Sequence, residues 1–301
     1  MSVIDINNLH KRYGDVVAVE DVSFTVEAGE IFGIIGRNGA GKTTTVEAAA
    51  GLRRPDGGSV RVLGLDPQRD GPALRQRLGM QLQEGSLPDK LRVWEVLDLY
   101  SSFYANPADW RELIDLLGLS EKRNTAYAKL SGGQKQRLSI ALALVGNPEV
   151  AFLDELTTGL DPAARRETWQ LVESVRNRGV TVVLVTHFME EVDRLCDRVA
   201  VIDAGKVVAV DSPTGLIARV DGEQRIRFTP ATPMPDGVLD DLPEVSGVST
   251  SGRQVIVQGG GNLLFAVAAT LAKHDVVPRD LRMDQTTLDE AFLALTGRAL
   301  D

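Results

Sequence analysis

Short runs of consecutive apolar and β-branched residues recur along the chain at Val22–Val26, Ile31–Ile35, Val150–Leu153, Val180–Val185 and Val199–Ile202. Where such a run is apolar on both faces, it predicts a strand buried between layers. Helix-period stretches separate them at Thr43–Ala50, Trp94–Tyr104, Gln134–Val145, Ala163–Arg178 and Met189–Leu195. This alternation predicts an α/β core. From about residue 85 the strand signal vanishes and helical pattern takes over, predicting a helical insert able to present a separate docking face. The segment Asp211-Ser212-Pro213-Thr214-Gly215 breaks the pattern, and we place a boundary near residue 220. Beyond it, Gln224–Phe228 and Arg253–Gln258 read as strands, and Leu263–Lys273 and Thr287–Thr296 as helices, which makes a small α+β tail. Leu288, Phe292 and Leu295 share one face of the last helix.

Chemistry concentrates at the ends of the apolar strands. Gly36-Arg37-Asn38-Gly39-Ala40-Gly41-Lys42-Thr43 follows the strand ending at Ile35 and opens a helix. Glycines at this spacing let backbone N–H groups wrap a phosphate, and the helix N-terminus adds partial positive charge. Lys42 is expected to reach terminal phosphates, Thr43 to offer a hydroxyl to Mg²⁺, and Thr44 to add a phosphate contact. The strand Val150–Leu153 ends in Asp154-Glu155. Alternation aims these two acids in different directions, so Asp154 can serve a metal ion while Glu155 serves an attacking water as base. Leu130-Ser131-Gly132-Gly133-Gln134 precedes an apolar helix, with Ser131 at the N-cap position and two glycines exposing backbone donors. Read alone, that string is a helix-entry loop.

Phosphate loop, Ser-Gly-Gly-Gln string and acidic strand end come in the order and at the separations of the ABC ATPases, and the chain from about residue 3 to 215 resembles that family. The resemblance implies a P-loop NTPase core with antiparallel β and helical subdomains, residues 1–220 with a helical part about 85–147, followed by the α+β tail of 221–301. It also implies roles for further residues. Tyr13 resembles the aromatic that stacks on adenine. Gln83 resembles the metal-contacting glutamine of the Q-loop; Gln81 competes for that role, and counting from Gly79 favours Gln83. Asp161 in Gly159-Leu160-Asp161-Pro162 resembles the D-loop acid, and His187 the switch histidine that contacts the γ-phosphate. The implied reaction is hydrolysis of ATP with Mg²⁺. In it, the Ser131–Gln134 signature of a second copy, or of a homologous ATPase subunit, completes each site in a head-to-tail dimer. Two positions depart from the family pattern: Arg37 stands where Pro or Ser is common, and Leu156 where Pro usually follows the acidic pair.

Composition narrows the partners. A net charge of −9 over 301 residues opposes a general nucleic-acid binder, so no direct nucleic-acid contact is expected. A single cysteine, Cys196, can form neither an intrachain disulfide nor a cysteine metal cluster, and it reads as a packing residue. No run reaches the roughly 18 apolar residues of a membrane span. The resemblance therefore implies a peripheral subunit held at the cytoplasmic face of the membrane by a separate polytopic permease. The segment Leu281–Gly297 looks like the tail of ABC-2-type exporters, including the daunorubicin-resistance type, which implies export of drugs, lipids or other amphiphiles. The competing reading is a soluble ABC ATPase in a regulatory or nucleic-acid-linked process. Heptad coiled coils, zinc cysteines or a second cassette would mark it, and the sequence carries none of them.

Overall fold

The computed structural model describes residues 1–81, 87–220, 224–235, 237–284 and 286–298. Gln83 lies outside the described residues. The chain opens with a long antiparallel pair, β1 (Ser2–Tyr13) and β2 (Val16–Glu27), then β3 (Ile31–Ile35), α1 (Lys42–Ala49), β4 (Gly57–Val62), α2 (Gly71–Arg75) and β5 (Leu78–Gln81). The helical stretch follows as α3 (Val93–Ser101), α4 (Trp110–Leu116) and α5 (Gly132–Leu144). Strand and helix then alternate through β6 (Val150–Asp154), α6 (Pro162–Asn177), β7 (Thr181–Val185), α7 (Met189–Leu195), β8 (Arg198–Asp203), β9 (Lys206–Asp211) and α8 (Pro213–Val220).

These strands form one mixed nine-stranded sheet of order β4-β1-β2-β9-β8-β3-β7-β6-β5, in which β8, β3, β7, β6 and β5 run parallel. The pleat distributes side chains between two cores. Ile31, Ile35, Ala151, Leu153, Val182, Leu184, Val199 and Val201 join a cluster with the helices α3 to α8. Their neighbours Phe32, Ile34, Val150, Phe152, Val183, Val185, Ala200 and Ile202 join a second cluster with α1 and the antiparallel strands. Both faces are covered, which is why these strands read as unbroken apolar runs. Cys196 is buried in the first cluster, and desolvation pushes its thiol far above the ordinary range, so it packs rather than reacts.

The remaining chain forms β10 (Gln224–Pro230), β11 (Val245–Ser251), β12 (Gln254–Gly259), α9 (Leu263–Lys273), β13 (Pro278–Asp284) and α10 (Leu288–Thr296). A four-stranded antiparallel sheet of order β11-β12-β10-β13 covers α9 around Ile226, Phe228, Val257, Val267 and Leu271. The last helix does not share that small core. Leu288 and Phe292 of α10 are buried in the first cluster, with Leu216 of α8, so the end of the tail packs back onto the nine-stranded unit. Pro213, which reads as a break in the sequence, is the first residue of α8, where its fixed φ suits a first helical turn.

Candidate active site

The loop between β3 and α1 is shaped by close backbone approach. A Cβ on Gly36 would stand 2.1 Å from the carbonyl oxygen of Ile202, and one on Gly41, at φ 103°, would stand 2.5 Å from that of Ala18. No other residue fits either place. The turn is closed by the Ala40 N–H donating to the Arg37 carbonyl at 3.1 Å, and the Gly205 N–H ties it to β8's exit by donating to Ala40 at 3.0 Å. Lys42, 6% exposed, donates its ammonium to the carbonyls of Gly36 at 2.6 Å and Arg37 at 3.0 Å. Burial pushes its pKa down, against the opposing pull of Glu155 and Asp154. The eight-residue α1 then presents the unshared N–H groups of its first turn, with Thr43 and Thr44, at the same mouth.

The pleat decides what the acidic pair faces. Val150, Phe152 and Asp154 lie on the α1 side of β6, where the Thr43 hydroxyl beside the Asp154 carboxylate favours its charged form. Oδ2 of Asp154 is buried with no hydrogen-bond partner among the described residues. Burial, and then the nearby Glu155 carboxylate, raise the Asp154 pKa to about 6. A desolvated carboxylate with a spare oxygen beside a threonine hydroxyl fits a hard divalent cation that takes its remaining ligands from phosphate and water. Asp154 is held in register by Gln81, whose Oε1 accepts the Asp154 N–H at 3.1 Å. That gives Gln81 a structural task on β5.

Glu155 leaves the strand. Its φ of 49° turns the chain, its N–H donates to the Val185 carbonyl at 2.8 Å, and its Oε1 stands 3.3 Å from Nδ1 of His187. His187 lies two residues beyond the end of β7 and packs its ring on Phe188, with centroids 4.1 Å apart. The guanidinium of Arg165 on α6 covers the Phe188 ring at 4.5 Å.

Lys42, Thr43, Asp154, Glu155 and His187 thus converge. The Ser131–Gln134 segment has a different environment. Ser131 caps α5 in a reciprocal box, its Oγ accepting the Gln134 N–H at 3.3 Å and the Gln134 side chain accepting the Ser131 N–H at 3.0 Å. Asp161 caps α6 by accepting the N–H groups of Ala163 and Ala164, each at 2.9 Å. Gly133 lies beside Ala164, so the two capped ends are neighbours. Tyr13 ends β1 at an exposed hairpin with the Lys11 ammonium 5.3 Å above its ring.

Comparison with known proteins gives this arrangement its family. The ABC transporter sequence profile matches residues 19–158. The Nod factor export ATP-binding protein I of Burkholderia lata is 42% identical over 99% of this chain and 98% of its own. The chain belongs to the ABC transporter ATP-binding family. A daunorubicin resistance ATP-binding protein of Streptomyces coeruleorubidus is 36% identical over 98% of this chain and 96% of its own. Among solved structures, the dimeric structure of MJ0796, a bacterial ABC transporter cassette, superposes with a TM-score of 0.62 at 28% identity, over 69% of this chain and 98% of that one. The ABC ATP-binding domain hydrolyses ATP to power transport, and the observed fold is that of the ABC cassettes with a small antiparallel sheet added. Among the described residues, no helix is long and apolar enough to cross a membrane.

The sequence did not single out the buried Glu191 of α7, which hydrogen-bonds Thr157 and Thr186, close in the chain to Glu155 and His187. The signal for it was slight: an acid next to the apolar positions Met189, Val192 and Leu195 of a short helix.

Proposed function

We propose that the chain is the ATPase subunit of an ABC-2-type exporter, acting as a head-to-tail pair, with a second copy or a homologue, on a separate polytopic permease. The hydrolytic assignment rests on the division between Asp154, turned toward Thr43 and α1, and Glu155, turned toward His187. In this reading Glu155 takes the proton of the attacking water, and His187 orients Glu155 and the γ-phosphate. Lys42 and the Gly36–Thr44 backbone hold the phosphates, and Tyr13 stacks on adenine. Asp154, Thr43 and Gln83 would hold Mg²⁺, which neutralises phosphate charge when bound.

The pairing is supported by Gly132. A Cβ there would meet nothing within 4 Å, so the fold of one chain does not require glycine at that place. Close approach of another molecule's phosphate does. Export is supported by the Nod factor and daunorubicin names of relatives that align over nearly the whole chain, tail included. We assign residues 1–220 to the ATPase unit, with a helical part about 85–147, and 221–301 to an accessory unit. The location is the cytoplasmic face of the membrane through the permease, and the cargo class is drugs, lipids or other amphiphiles. Two measurements test this: Glu155→Gln keeps ATP binding while turnover collapses, and the chain co-purifies from detergent extracts with a polytopic protein. Full turnover in the variant, or recovery only with ribosomes or DNA, contradicts it.

A further inference from the structure

Glu191 is 1% exposed, and its carboxylate accepts three hydrogen bonds from three separate segments of the chain. Oε1 takes the Thr157 hydroxyl at 2.6 Å and the Trp169 indole N–H at 3.1 Å, and Oε2 takes the Thr186 hydroxyl at 2.5 Å. Thr157 follows Glu155 by two residues, Thr186 immediately precedes His187, and Trp169 sits within α6. All three donors are buried. The Thr186 oxygen also accepts the Phe188 N–H at 3.0 Å, which directs its own proton to Glu191 and fixes the turn on which His187 is mounted.

We propose that Glu191 is a positioning residue for ATP hydrolysis, tying the segment that carries Glu155 and the segment that carries His187 to one point on α6. The inference rests on the roles given above to Glu155 and His187. Packing alone does not call for a carboxylate here, since filling this space needs only an apolar side chain, whereas a buried acid is stable only with its acceptors supplied with donors. The two catalytic segments come from different strands, β6 and β7, and Glu155 sits in a left-handed conformation that its surroundings must hold. Leu156, between Glu155 and Thr157, has no ring to stiffen that turn, so the Thr157 bond supplies the restraint. Because α6 begins at the Asp161 cap, a displacement of that helix reaches both segments together through the shared carboxylate.

The test uses the purified full chain, with nucleotide affinity and steady-state ATP turnover measured separately. Thr157→Val and Thr186→Val each remove one hydroxyl at nearly constant shape. Each is expected to lower kcat about five- to tenfold while the ATP dissociation constant stays within about twofold. Because both act through one carboxylate, the double variant is expected to fall no more than about twofold below the worse single. Glu191→Gln, which still accepts from Thr157 and Trp169 and can donate to Thr186, is expected to retain at least about a third of kcat. The proposal is overturned if either threonine variant turns over at the parental kcat, if the two losses multiply, or if affinity falls in step with kcat. Glu155→Gln is run alongside. If it retains turnover, the assignment of the base is itself at fault, and the positioning role falls with it.

Discussion

Nδ1 of His187 stands 3.3 Å from Oε1 of Glu155, at a junction where neither group belongs to a regular element. This contact is what the site invests in His187. Replacing His187 with Ala is expected to lower kcat by about tenfold or more with nucleotide affinity changed by less than about threefold. Stopped turnover assays paired with equilibrium nucleotide titration separate the two. Equal losses in both would make His187 a binding residue instead.

Asp154 provides a pH signature. Its folded pKa of about 6 lies above the ordinary 3.8, so the folded protein binds this proton more tightly than the unfolded chain does. Stability from this group is therefore full below about pH 4, declines as pH rises toward about 6, and stays reduced above, by about 3 kcal/mol. Asp154→Asn removes the ionisation. Without nucleotide it is expected to melt higher than the parent at pH 7.5, with the difference shrinking toward pH 4. Melting curves of both proteins across that range are the check, and a constant difference contradicts the assignment.

Lys42 donates to two carbonyls of its own loop, and its charge is available to an entering phosphate. Lys42→Ala is expected to weaken ATP binding by about tenfold or more, equivalent to about 1.4 kcal/mol or more. Titration with a fluorescent ATP analogue measures it. Parental affinity would remove Lys42 from the phosphate site.

Gly132 separates folding from association. It opens α5 with open space where a Cβ would go, so Gly132→Ala is expected to leave thermal stability equal or raise it by about 0.5 kcal/mol. Turnover and ATP-driven dimerisation should nevertheless fall. Calorimetry and sizing with ATP distinguish the effects, and parental dimerisation would contradict the pairing.

The parts of this molecule that were legible in sequence are those whose chemistry is local. The Gly36–Thr43 loop announces itself because its spacing is what a phosphate requires, and β3, β6 and β7 because burial on both faces leaves unbroken apolar runs. β1 was not legible. Its pairing with β2 slips between Ile6 and Leu9 and again toward Arg12, which scrambles the two-residue period on which strand reading depends. The Glu191 cluster was hidden for a different reason, since Thr157, Trp169 and Thr186 meet only after four elements have packed. Likewise, the apolar face of α10 declared that it would be buried without declaring in which core.

That last point predicts where the tail's energy is spent. Phe292 is 2% exposed within the first cluster, so Phe292→Ala is expected to destabilise the nine-stranded unit by about 3–5 kcal/mol. Thermal unfolding followed by loss of nucleotide binding reads this out. An unchanged midpoint would mean that α10 merely rests on the surface.

The return of α10 also limits how such tails can be exchanged. A chimera joined near residue 220 would import a foreign four-stranded sheet and, with it, foreign occupants for the places of Leu288 and Phe292 beside Leu216. Grafts between relatives should therefore succeed only when α8 and the closing helix travel as a matched set. The unit of inheritance is longer than the cassette that performs the chemistry.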